Sequence, residues 1–291
     1  MIDSFLLHQP ESLSDALTLL AEHSQEVKVL AGGSELILLL KMGLLAAKHI
    51  INLKKIPDLA SLDYESSPRF LHIGPLVTHR ALEKSEILHK YFPLLVEMEK
   101  QLANVRIRNV GTLAGNLAFA EPHADPGTLL VAYEASVTLT SVDGERTLSL
   151  EDFFIDFYET ALASNEILSE ISIPKPAASS KGAYLRFCPG ERPMVGVALL
   201  SEWNEEICEK PRLVLGCVGP KPMRALELED WMTGRSREDI QAEADSLGTK
   251  AALSCQPLED ISGSVEYKRQ IVKTLVARAI LRLTHERIDH G

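Results

Sequence analysis

Apolar residues recur along this chain with two spacings, one typical of helices and one typical of buried strands. Near the N-terminus, helical spacing predicts a helix that Ser12 caps and that ends near His23. Its apolar positions are Ala16, Leu17, Leu19 and Leu20. At the other end, the residues from Glu266 to Ile288 place their apolar side chains on one helical face. This pattern predicts a long helix packed against a core.

The pattern changes from strand to helix across two adjacent glycines in the segment VKVLAGGSELILLLKMG. It predicts a short strand, a turn at Gly32 and Gly33, and a helix that starts at Ser34, carries Glu35 in its first turn and ends before Gly43. Such a turn lets a ligand approach the backbone, and the free N–H groups of the helix start favour a phosphate. A plain tight turn has the same pattern, and the segment contains neither G-x-G-x-x-G nor a P-loop motif.

Two further segments continue the alternation of strand and helix. HIINLKKIPDL predicts a strand with a turn at Pro57, and FLHIGPLVTHRALEKS predicts a strand that runs into a helix capped by Thr78. Helical spacing then continues through YFPLLVEMEKQL. Beyond the Pro/Ser/Gly-rich stretch IPKPAASSKG, the runs MVGVALLSEW and PRLVLGCVGP predict two strands.

A second glycine-rich segment, NVRIRNVGTLAGNLAFAEPHADP, lies about 80 residues after the first. Four residues that suit a ligand contact stand within six positions: Gly111, Thr112, Gly115 and Asn116. Alone, the segment also fits a buried turn with a satisfied asparagine, and a solvated or salt-bridged strand edge at Arg106 and Arg108. We expect both glycine-rich turns to lie beside apolar strands, which favours an extended ligand held from two sides.

Composition narrows the class of protein. The 291 residues are 45% hydrophobic and 24% charged, enough for two moderate cores, and the formal net charge is −11 with a pI near 5.4. An acidic surface repels nucleic acid and anionic membranes, so neither is expected as a partner. The apolar stretch LILLLKMGLLAAKHIIN is interrupted by Lys41 and Lys48; it predicts a buried helix and a strand, and no membrane span. With no visible secretory signal, a cytoplasmic location is expected.

Cysteine and histidine spacing gives no sign of a metal centre. The four cysteines stand singly at Cys188, Cys208, Cys217 and Cys255, which is typical of reduced structural thiols. The nine histidines form neither H-x-H nor H-E-x-x-H. We therefore expect no metal ligand in this chain. No set of side chains stands out as an acid–base or nucleophilic centre, and we expect none to be catalytic.

The two glycine-rich segments resemble the flavin-binding segments of the FAD subunits of molybdenum hydroxylases, the xanthine dehydrogenase and carbon monoxide dehydrogenase group. VLAGGSELILLLKMG is similar to their first segment, RNVGTLAGNLAFAEPHAD to their second, and IGPLVTHRALEKS to the segment between them. KGAYLRFCPGERPMVGVA and EYKRQIVKTLVARAI extend the resemblance to the C-terminus. The resemblance implies an α+β fold: a PCMH-type FAD-binding domain of two α/β subdomains at 1–175, and a C-terminal CO-dehydrogenase-flavoprotein-like α+β domain at 180–291.

The resemblance also implies which residues bind FAD. The pyrophosphate is expected on the first segment, at Leu30, Ala31, Gly32, Gly33, Ser34, Glu35 and Leu36. The flavin and diphosphate are expected to be lined from the other side by Thr112, Leu113, Ala114, Gly115 and Asn116.

Four outlying positions complete the implied site. Asp125, nine residues after Asn116, matches the acid that meets the ribityl or adenosine side of the cofactor. Leu168 corresponds to an apolar contact on a ring system, Arg186 to a basic position after the tyrosine, and Leu102 to a residue near the isoalloxazine face.

Departures from the family pattern are few. Ser34–Glu35 stands where the family has Thr-Asp, and Ala114–Gly115 where it has two glycines. The run FCPGERPMV replaces a common stretch of arginines and an aspartate, which puts Arg186 and Arg192 in doubt as cofactor contacts. The cysteine-bearing insertion found in some members for an extra iron–sulfur cluster is not visible.

The implied function is electron transfer. A flavin exchanges one or two electrons, so it connects single-electron carriers with a two-electron acceptor. The resemblance implies a heterotrimer in which a large subunit holds molybdopterin, a small subunit holds two [2Fe-2S] clusters, and this chain passes electrons through FAD to NAD⁺, oxygen or a quinone. Two alternatives stay open: a stand-alone FAD-dependent oxidase or reductase of the same fold, and an assembly subunit that has lost its cofactor.

Overall fold

The computed structural model of the protein describes residues 4–23, 26–64 and 69–285. Its first part is a three-stranded parallel sheet in the order β1-β3-β2, covered by helices. The elements in chain order are β1 (Leu6–His8), α1 (Leu13–His23), β2 (Val27–Leu30), α2 (Ser34–Met42) and β3 (His49–Asn52). Two 3₁₀ turns follow, at Leu53–Lys55 and Pro57–Ala60.

The caps predicted for the first part are confirmed. The Oγ of Ser12 accepts a hydrogen bond from the Asp15 backbone N–H at 3.1 Å, and Gly43 ends α2 in the left-handed region at φ 70°. The buried face of α1, formed by Ala16, Leu17 and Leu20, packs over the sheet. Helix α2, in contrast, is not the buried helix that its apolar sequence predicts.

Helix α2 buries only one of its nine side chains, that of Leu40. The side chains of Leu38 and Met42 are 46% and 62% exposed, and Leu44 just beyond the helix is 67% exposed. The apolar side chains of a helix favour burial. The sequence does not show whether residues of the same chain bury them. The expected burial is therefore wrong, whereas the expected helix and the following strand are confirmed.

The second part is built on a five-stranded antiparallel sheet in the order β4-β5-β10-β6-β7. Its helical elements lie mainly between β5 and β6. In chain order the elements are β4 (Leu62–Asp63), β5 (Phe70–Ile73), α3 (His79–Lys84), α4 (Glu86–Tyr91), α5 (Pro93–Gln101), α6 (Val105–Arg108), α7 (Leu113–Phe119), α8 (Asp125–Ala132), β6 (Ser136–Ser141), β7 (Gly144–Ser149), α9 (Leu150–Phe153), β8 (Phe154–Asp156), β9 (Glu159–Thr160) and β10 (Ile167–Pro174).

The second glycine-rich segment lies among helices, which corrects the expectation that it borders an apolar strand. It runs from α6 through α7 to the start of α8. The expected strand edge at Arg106 and Arg108 is therefore wrong, because both residues lie on the single turn of α6. Asn104 caps that turn by accepting hydrogen bonds from the N–H groups of Arg106 and Ile107. Asparagine favours such caps, and the cap sets the helix start.

The third part is a four-stranded antiparallel sheet in the order β11-β12-β13-β14 with helices on one face. Its elements are β11 (Lys181–Phe187), β12 (Val195–Asn204), β13 (Ile207–Gly216), β14 (Met223–Arg224), α10 (Leu226–Met232), α11 (Arg237–Ala242), α12 (Ala244–Ser254) and α13 (Val265–His285). The two predicted strands and the long closing helix are confirmed; positions 286–288 of the predicted helix lie outside the described residues.

This C-terminal sheet is buried on both faces. Along β12, Val197 and Leu199 pack into the core beneath α13, whereas Ala198 and Leu200 join the core of the second part. Successive strand residues point to opposite faces, so a continuous apolar run is what a doubly covered strand requires. The five-stranded part and the C-terminal sheet therefore share one core.

The described helices include none that is both long and apolar enough to cross a bilayer. All four cysteines are free, and three of them are buried. Burial raises the pKa of the Cys208 thiol to about 11, which keeps it protonated and unreactive at neutral pH. This agrees with the expected structural role.

Candidate cofactor site

The two glycine-rich segments meet backbone to backbone. A methyl group placed on Gly32 would lie 2.4 Å from the carbonyl oxygen of Val110 and 2.9 Å from the Cα of Gly111. No side chain fits into that space. Gly32 therefore permits a direct contact between segments that lie about 80 residues apart in the sequence.

The segment between them in the sequence holds the second one in place. The His79 backbone N–H donates to the carbonyl oxygen of Gly111 at 3.0 Å, and the Leu113 N–H donates to that of Val77 at 3.2 Å. Thr78 and Thr112 form an isolated antiparallel bridge between these contacts. All three segments singled out in the sequence thus converge on one site.

The N-terminus of α2 points unpaired donors into this junction. Its cap residue, Gly33, has a left-handed backbone with φ 88° and no side chain to accept from the first-turn N–H groups. Residues 31–37 are half-buried, and the N–H groups of Ser34, Glu35 and Leu36 have no hydrogen-bond partner among the described residues. The neighbouring helices α3 and α7 are capped by Thr78 and Thr112. An uncapped helix start with a positive dipole end suits a phosphate group.

A lysine adds positive charge at the same turn. The Nζ of Lys54 donates to the carbonyl oxygen of Gly32 at 3.3 Å. Lys54 follows β3 in a 3₁₀ turn that the side chain of Asn52 caps. Sequence reasoning missed this residue because the pairing of β3 with β2, rather than any local motif, brings it to the glycine turn.

The second segment offers fewer free groups than its sequence indicates. The side chains of Thr112, Leu113 and Ala114 are buried, and the Thr112 Oγ1 already accepts from the Gly115 N–H at 3.1 Å. Gly115 and Asn116 are half-buried. The Asn116 side-chain amide makes no hydrogen bond to any residue that the structure describes, so it is available to a ligand.

Burial also explains why Ala114 replaces the glycine that the family pattern has at this position. Its methyl group is 3% exposed and packs into the core of the second part. The methyl group therefore points away from the junction of the segments and takes no space from a ligand there.

A buried, hydrogen-bonded pair of side chains supports the second segment at the junction. The His79 Nδ1 lies 2.9 Å from Glu99 Oε2, and both side chains are buried. Burial raises the pKa of Glu99, and the charge and hydrogen bond of His79 oppose that rise. The His79 ring would lie 3.4 Å from a methyl group on Gly111, so the pair fixes the wall against which the second segment packs. No local signal in the sequence connects these residues.

The predicted site residues outside the two glycine-rich segments either bind other protein groups or pack in the core. The Asp125 carboxylate receives hydrogen bonds from the Tyr184 hydroxyl and from Arg186 Nη1, each at 2.5 Å, and is 2% exposed. Arg186 also donates to the carbonyl oxygen of Gln101 at 2.6 Å. Leu102 and Leu168 are 7% and 4% exposed and belong to the core of the second part. The structure thus makes Asp125 and Arg186 a bridge between α8, β11 and the end of α5.

Comparison with known proteins settles the family. Residues 3–176 match the family described as the FAD binding domain in molybdopterin dehydrogenase, and residues 189–283 match the CO dehydrogenase flavoprotein C-terminal domain. The chain belongs to this flavoprotein family. It is therefore an FAD-binding chain of the oxidoreductase class, and the predicted fold and cofactor are confirmed.

Characterised relatives align along nearly the whole chain. The carbon monoxide dehydrogenase medium chain of Hydrogenophaga pseudoflava is 31% identical over 280 residues, 95% of this chain and 96% of the relative. The nicotine 6-hydroxylase medium subunit of Paenarthrobacter nicotinovorans is 31% identical over 273 residues, 94% of each chain. The structure of reconstituted CO dehydrogenase from Oligotropha carboxidovorans superposes with a TM-score of 0.92 at 27% identity, covering 99% of this chain and 100% of the other.

In this member of the flavoprotein family, the side chains of Arg108 and Arg192 make protein contacts. Arg108 Nε donates to Glu83 at 2.9 Å and its Nη1 to the carbonyl oxygen of Leu102 at 2.7 Å. Arg192 pairs with Glu121 and lies 3.7 Å from Glu35. The salt-bridged alternative considered for Arg108 is confirmed, although on a helix rather than a strand edge.

The Glu121 carboxylate pairs with Arg192 near the first segment, and the strength of this pairing depends on pH. Burial alone raises its pKa, but hydrogen bonds from His123 and Tyr158 and the charge of Arg192 outweigh burial and lower it from 4.5 to about 2. A carboxyl pKa that is lower in the folded state stabilises the fold above pH 4.5, and this contribution is lost as the pH falls from 4.5 towards 2.

We expect Glu121→Gln to lower the thermal unfolding midpoint at pH 7 and the difference from wild type to shrink below pH 4.5. Thermal melts from pH 7 to pH 3 test this, and a difference independent of pH would contradict it.

Proposed function

We propose that this chain is the FAD-binding electron-transfer subunit of a molybdenum hydroxylase, with its cofactor held where the two glycine-rich segments meet. The observation that carries the proposal is the uncapped N-terminus of α2 at that junction, in a chain whose residues 3–176 match an FAD-binding domain. A stand-alone oxidase would also need an acid–base group placed at a substrate pocket, and no set of side chains in the sequence stands out as such a centre.

The contacts of the site support specific roles. The free N–H groups of Ser34, Glu35 and Leu36 form the pyrophosphate cradle. We assign Ala31, Gly32 and Gly33 to the turn that places this helix start against the second segment. Leu30 packs beneath the cradle, since its Cδ1 would lie 2.9 Å from a methyl group on Gly33. The positive charge of Lys54 beside Gly32 favours the diphosphate further.

The second segment faces the cofactor from the other side. We assign Gly115 and Asn116 to direct contact because they are the half-buried members of the predicted set. Thr112, Leu113 and Ala114 position them from the core, and Leu102 and Leu168 support that core. Asp125 and Arg186 bind each other, so we assign them to holding the second segment against the C-terminal sheet.

FAD supplies the exchange of one and two electrons when it is bound. The chain itself binds and orients the cofactor. We infer that electrons arrive from [2Fe-2S] clusters in a small partner subunit, which receives them from a molybdopterin centre in a large one. They leave to a small acceptor such as NAD⁺, oxygen or a quinone. The names of relatives as medium chains and subunits of larger enzymes support this assembly, and we propose that it resides in the cytoplasm.

The substrate is set by another subunit in this proposal. One relative belongs to a carbon monoxide dehydrogenase and another to a nicotine hydroxylase, yet each is 31% identical to this chain. The sequence identity between such subunits therefore does not depend on the substrate of the whole enzyme.

Purification of the chain with its partners tests the proposal and its alternatives. We expect a complex with a flavin absorption spectrum and about one FAD per chain after denaturation, the stoichiometry of a single cofactor site. Reduction of that flavin by the complex, once the hydroxylase substrate is added, tests the electron path. A lone yellow protein that turns over its own substrate would support the stand-alone oxidase. A colourless complex that does not take up added FAD would support the assembly subunit.

Asn116→Ala tests the polar contact of the second segment. We expect FAD affinity to fall by about 1 to 3 kcal/mol, because the bound cofactor loses a hydrogen-bonding partner. The thermal stability of the FAD-free chain should change little, since the Asn116 amide bonds to no described residue. Asn204→Ala changes an exposed asparagine at the end of β12 whose amide donates to Glu209; it is the matched control and should retain wild-type affinity. Equal affinity in both variants would move the cofactor away from Asn116.

A further inference from the structure

Three histidines that lie far apart in the sequence meet at one edge of the parallel sheet. His8 is the last residue of β1, His23 the last residue of α1 and His49 the first residue of β3. One ring nitrogen from each lies within 4.8 Å of the others. The spacing of histidines along the sequence does not show this cluster, because the fold brings the three rings together.

The fold accounts for this meeting. In the parallel pairing of β1 with β3, His49 lies opposite Leu6 and His8 lies opposite Ile51. His8 and His49 are thus two positions apart across the strands, on the same face of the sheet. Helix α1 runs back over that face and ends at His23. The ring centroids of His23 and His49 are 3.8 Å apart, and those of His8 and His49 are 5.2 Å apart.

The cluster consists of three imidazole rings, which bind metals, and no described carboxylate forms an ion pair with any of them. All three rings are half-buried. The His8 Nε2 lies 3.0 Å from His49 Nδ1, and the His23 ring makes no hydrogen bond to the residues that the structure describes. The carboxylate of Glu26, whose backbone carbonyl oxygen accepts from the His49 N–H, pairs with Lys48.

We propose that His8, His23 and His49 together bind one divalent transition-metal ion, with zinc as the best fit. Three neutral imidazoles suit zinc, copper and nickel, and a three-histidine site leaves a fourth tetrahedral position for water. Zinc bonds imidazole at about 2.0–2.1 Å, which puts ligand nitrogens about 3.3 Å apart. The rings close from 4.8 Å to this distance by side-chain rotation, which turns His23 and His49 out of their stacked arrangement.

The ion would tie three elements together. Strand β1 is only three residues long and lies at the edge of its sheet. Coordination would bind it and the end of α1 to β3. The site uses none of the residues assigned to FAD, so it is structural rather than redox-active in this proposal. Zinc binding should therefore stabilise the chain without changing its FAD content.

The test uses the untagged full-length chain, freed of metal with a chelator, and zinc as the probe. Calorimetric titration should give one zinc per chain, and zinc should raise the thermal unfolding midpoint. Cobalt should give the visible absorption of a tetrahedral site. His23→Gln and His49→Gln should each weaken zinc binding at least about tenfold, because even losing an outer partner of a metal ligand costs about 10–100-fold.

His89→Gln is the matched control. His89 is exposed, and among the described residues its ring hydrogen-bonds only the carbonyl oxygen of Ser85, the cap of its own helix. This variant should bind zinc like wild type, and all variants should retain wild-type FAD content. Zinc affinity that is the same in His23→Gln, His49→Gln and His89→Gln overturns the proposal, as does the absence of stoichiometric binding in the wild type. Neither outcome affects the assignment of the FAD site.

Discussion

Gly33→Asp is expected to abolish FAD binding. The Gly33 backbone has φ 88°, and a side chain there would start 2.9 Å from Leu30 Cδ1. Aspartate adds a negative charge beside the free N–H groups that we assign to the pyrophosphate, and at close range two negative charges repel strongly in a half-buried site. Bound FAD per chain, measured after denaturation of the purified complex, should fall from about one to near zero.

Gly43→Asp separates this effect from backbone strain. Gly43 lies at the other end of α2, also with a positive φ, and a methyl group there meets nothing within 4 Å. Both substitutions place aspartate in the left-handed region, at a cost of about 1–2 kcal/mol. Gly43→Asp should therefore lose a comparable amount of stability and keep its FAD. Full FAD content in Gly33→Asp would show that the pyrophosphate lies elsewhere.

Asp125→Ala is expected to reduce the free energy of unfolding by about 3–5 kcal/mol, the cost of removing one partner of a buried ion pair. The change leaves Arg186 without its carboxylate and the buried Tyr184 hydroxyl without its acceptor. Chemical denaturation of the chain measures the loss. Since α8 and β11 come from different parts of the fold, FAD retention should fall with stability rather than before it.

Two companion variants make this prediction specific. Asp125→Asn keeps an acceptor for Tyr184 and should recover part of the lost stability. Asp156→Ala removes an exposed carboxylate that, among the described residues, accepts only from the N–H of Phe157, and should be close to neutral. A loss below about 1 kcal/mol in Asp125→Ala would contradict the bridging role. A variant of normal stability that has lost FAD would instead support the direct cofactor contact that the family resemblance implies.

Local signals in the sequence predicted local structure well. The cap at Ser12, the glycines around α2 and the cap at Thr78 were all readable because each depends on residues within one helical turn. The strands after IPKPAASSKG were readable from their apolar runs. The division at 1–175 and 180–291 stays a prediction.

Long-range structure was not readable in the same way. The sequence showed two glycine-rich segments, but not that Gly32 permits contact with Val110 across about 80 residues. The buried pair of His79 and Glu99 joins two helices that each looked ordinary alone. Apolarity in α2 predicted burial without identifying a covering surface. Such contacts depend on how elements pack together, which periodicity in one segment does not encode.

The two-sided C-terminal sheet has a consequence for exchanging parts between relatives. Ala198 and Leu200 pack with the FAD-binding region, while their neighbours in β12 pack under α13. A chimera could join residues 1–175 to the C-terminal part of another family member. Its shared core would then be built from the residues of two different proteins, which have not evolved to pack together. Close-packed interiors tolerate such mismatches poorly. Functional hybrids in this family should require a joint transfer. The residues of β11, β12 and β13 that pack against the FAD-binding region would have to be transferred together with that region.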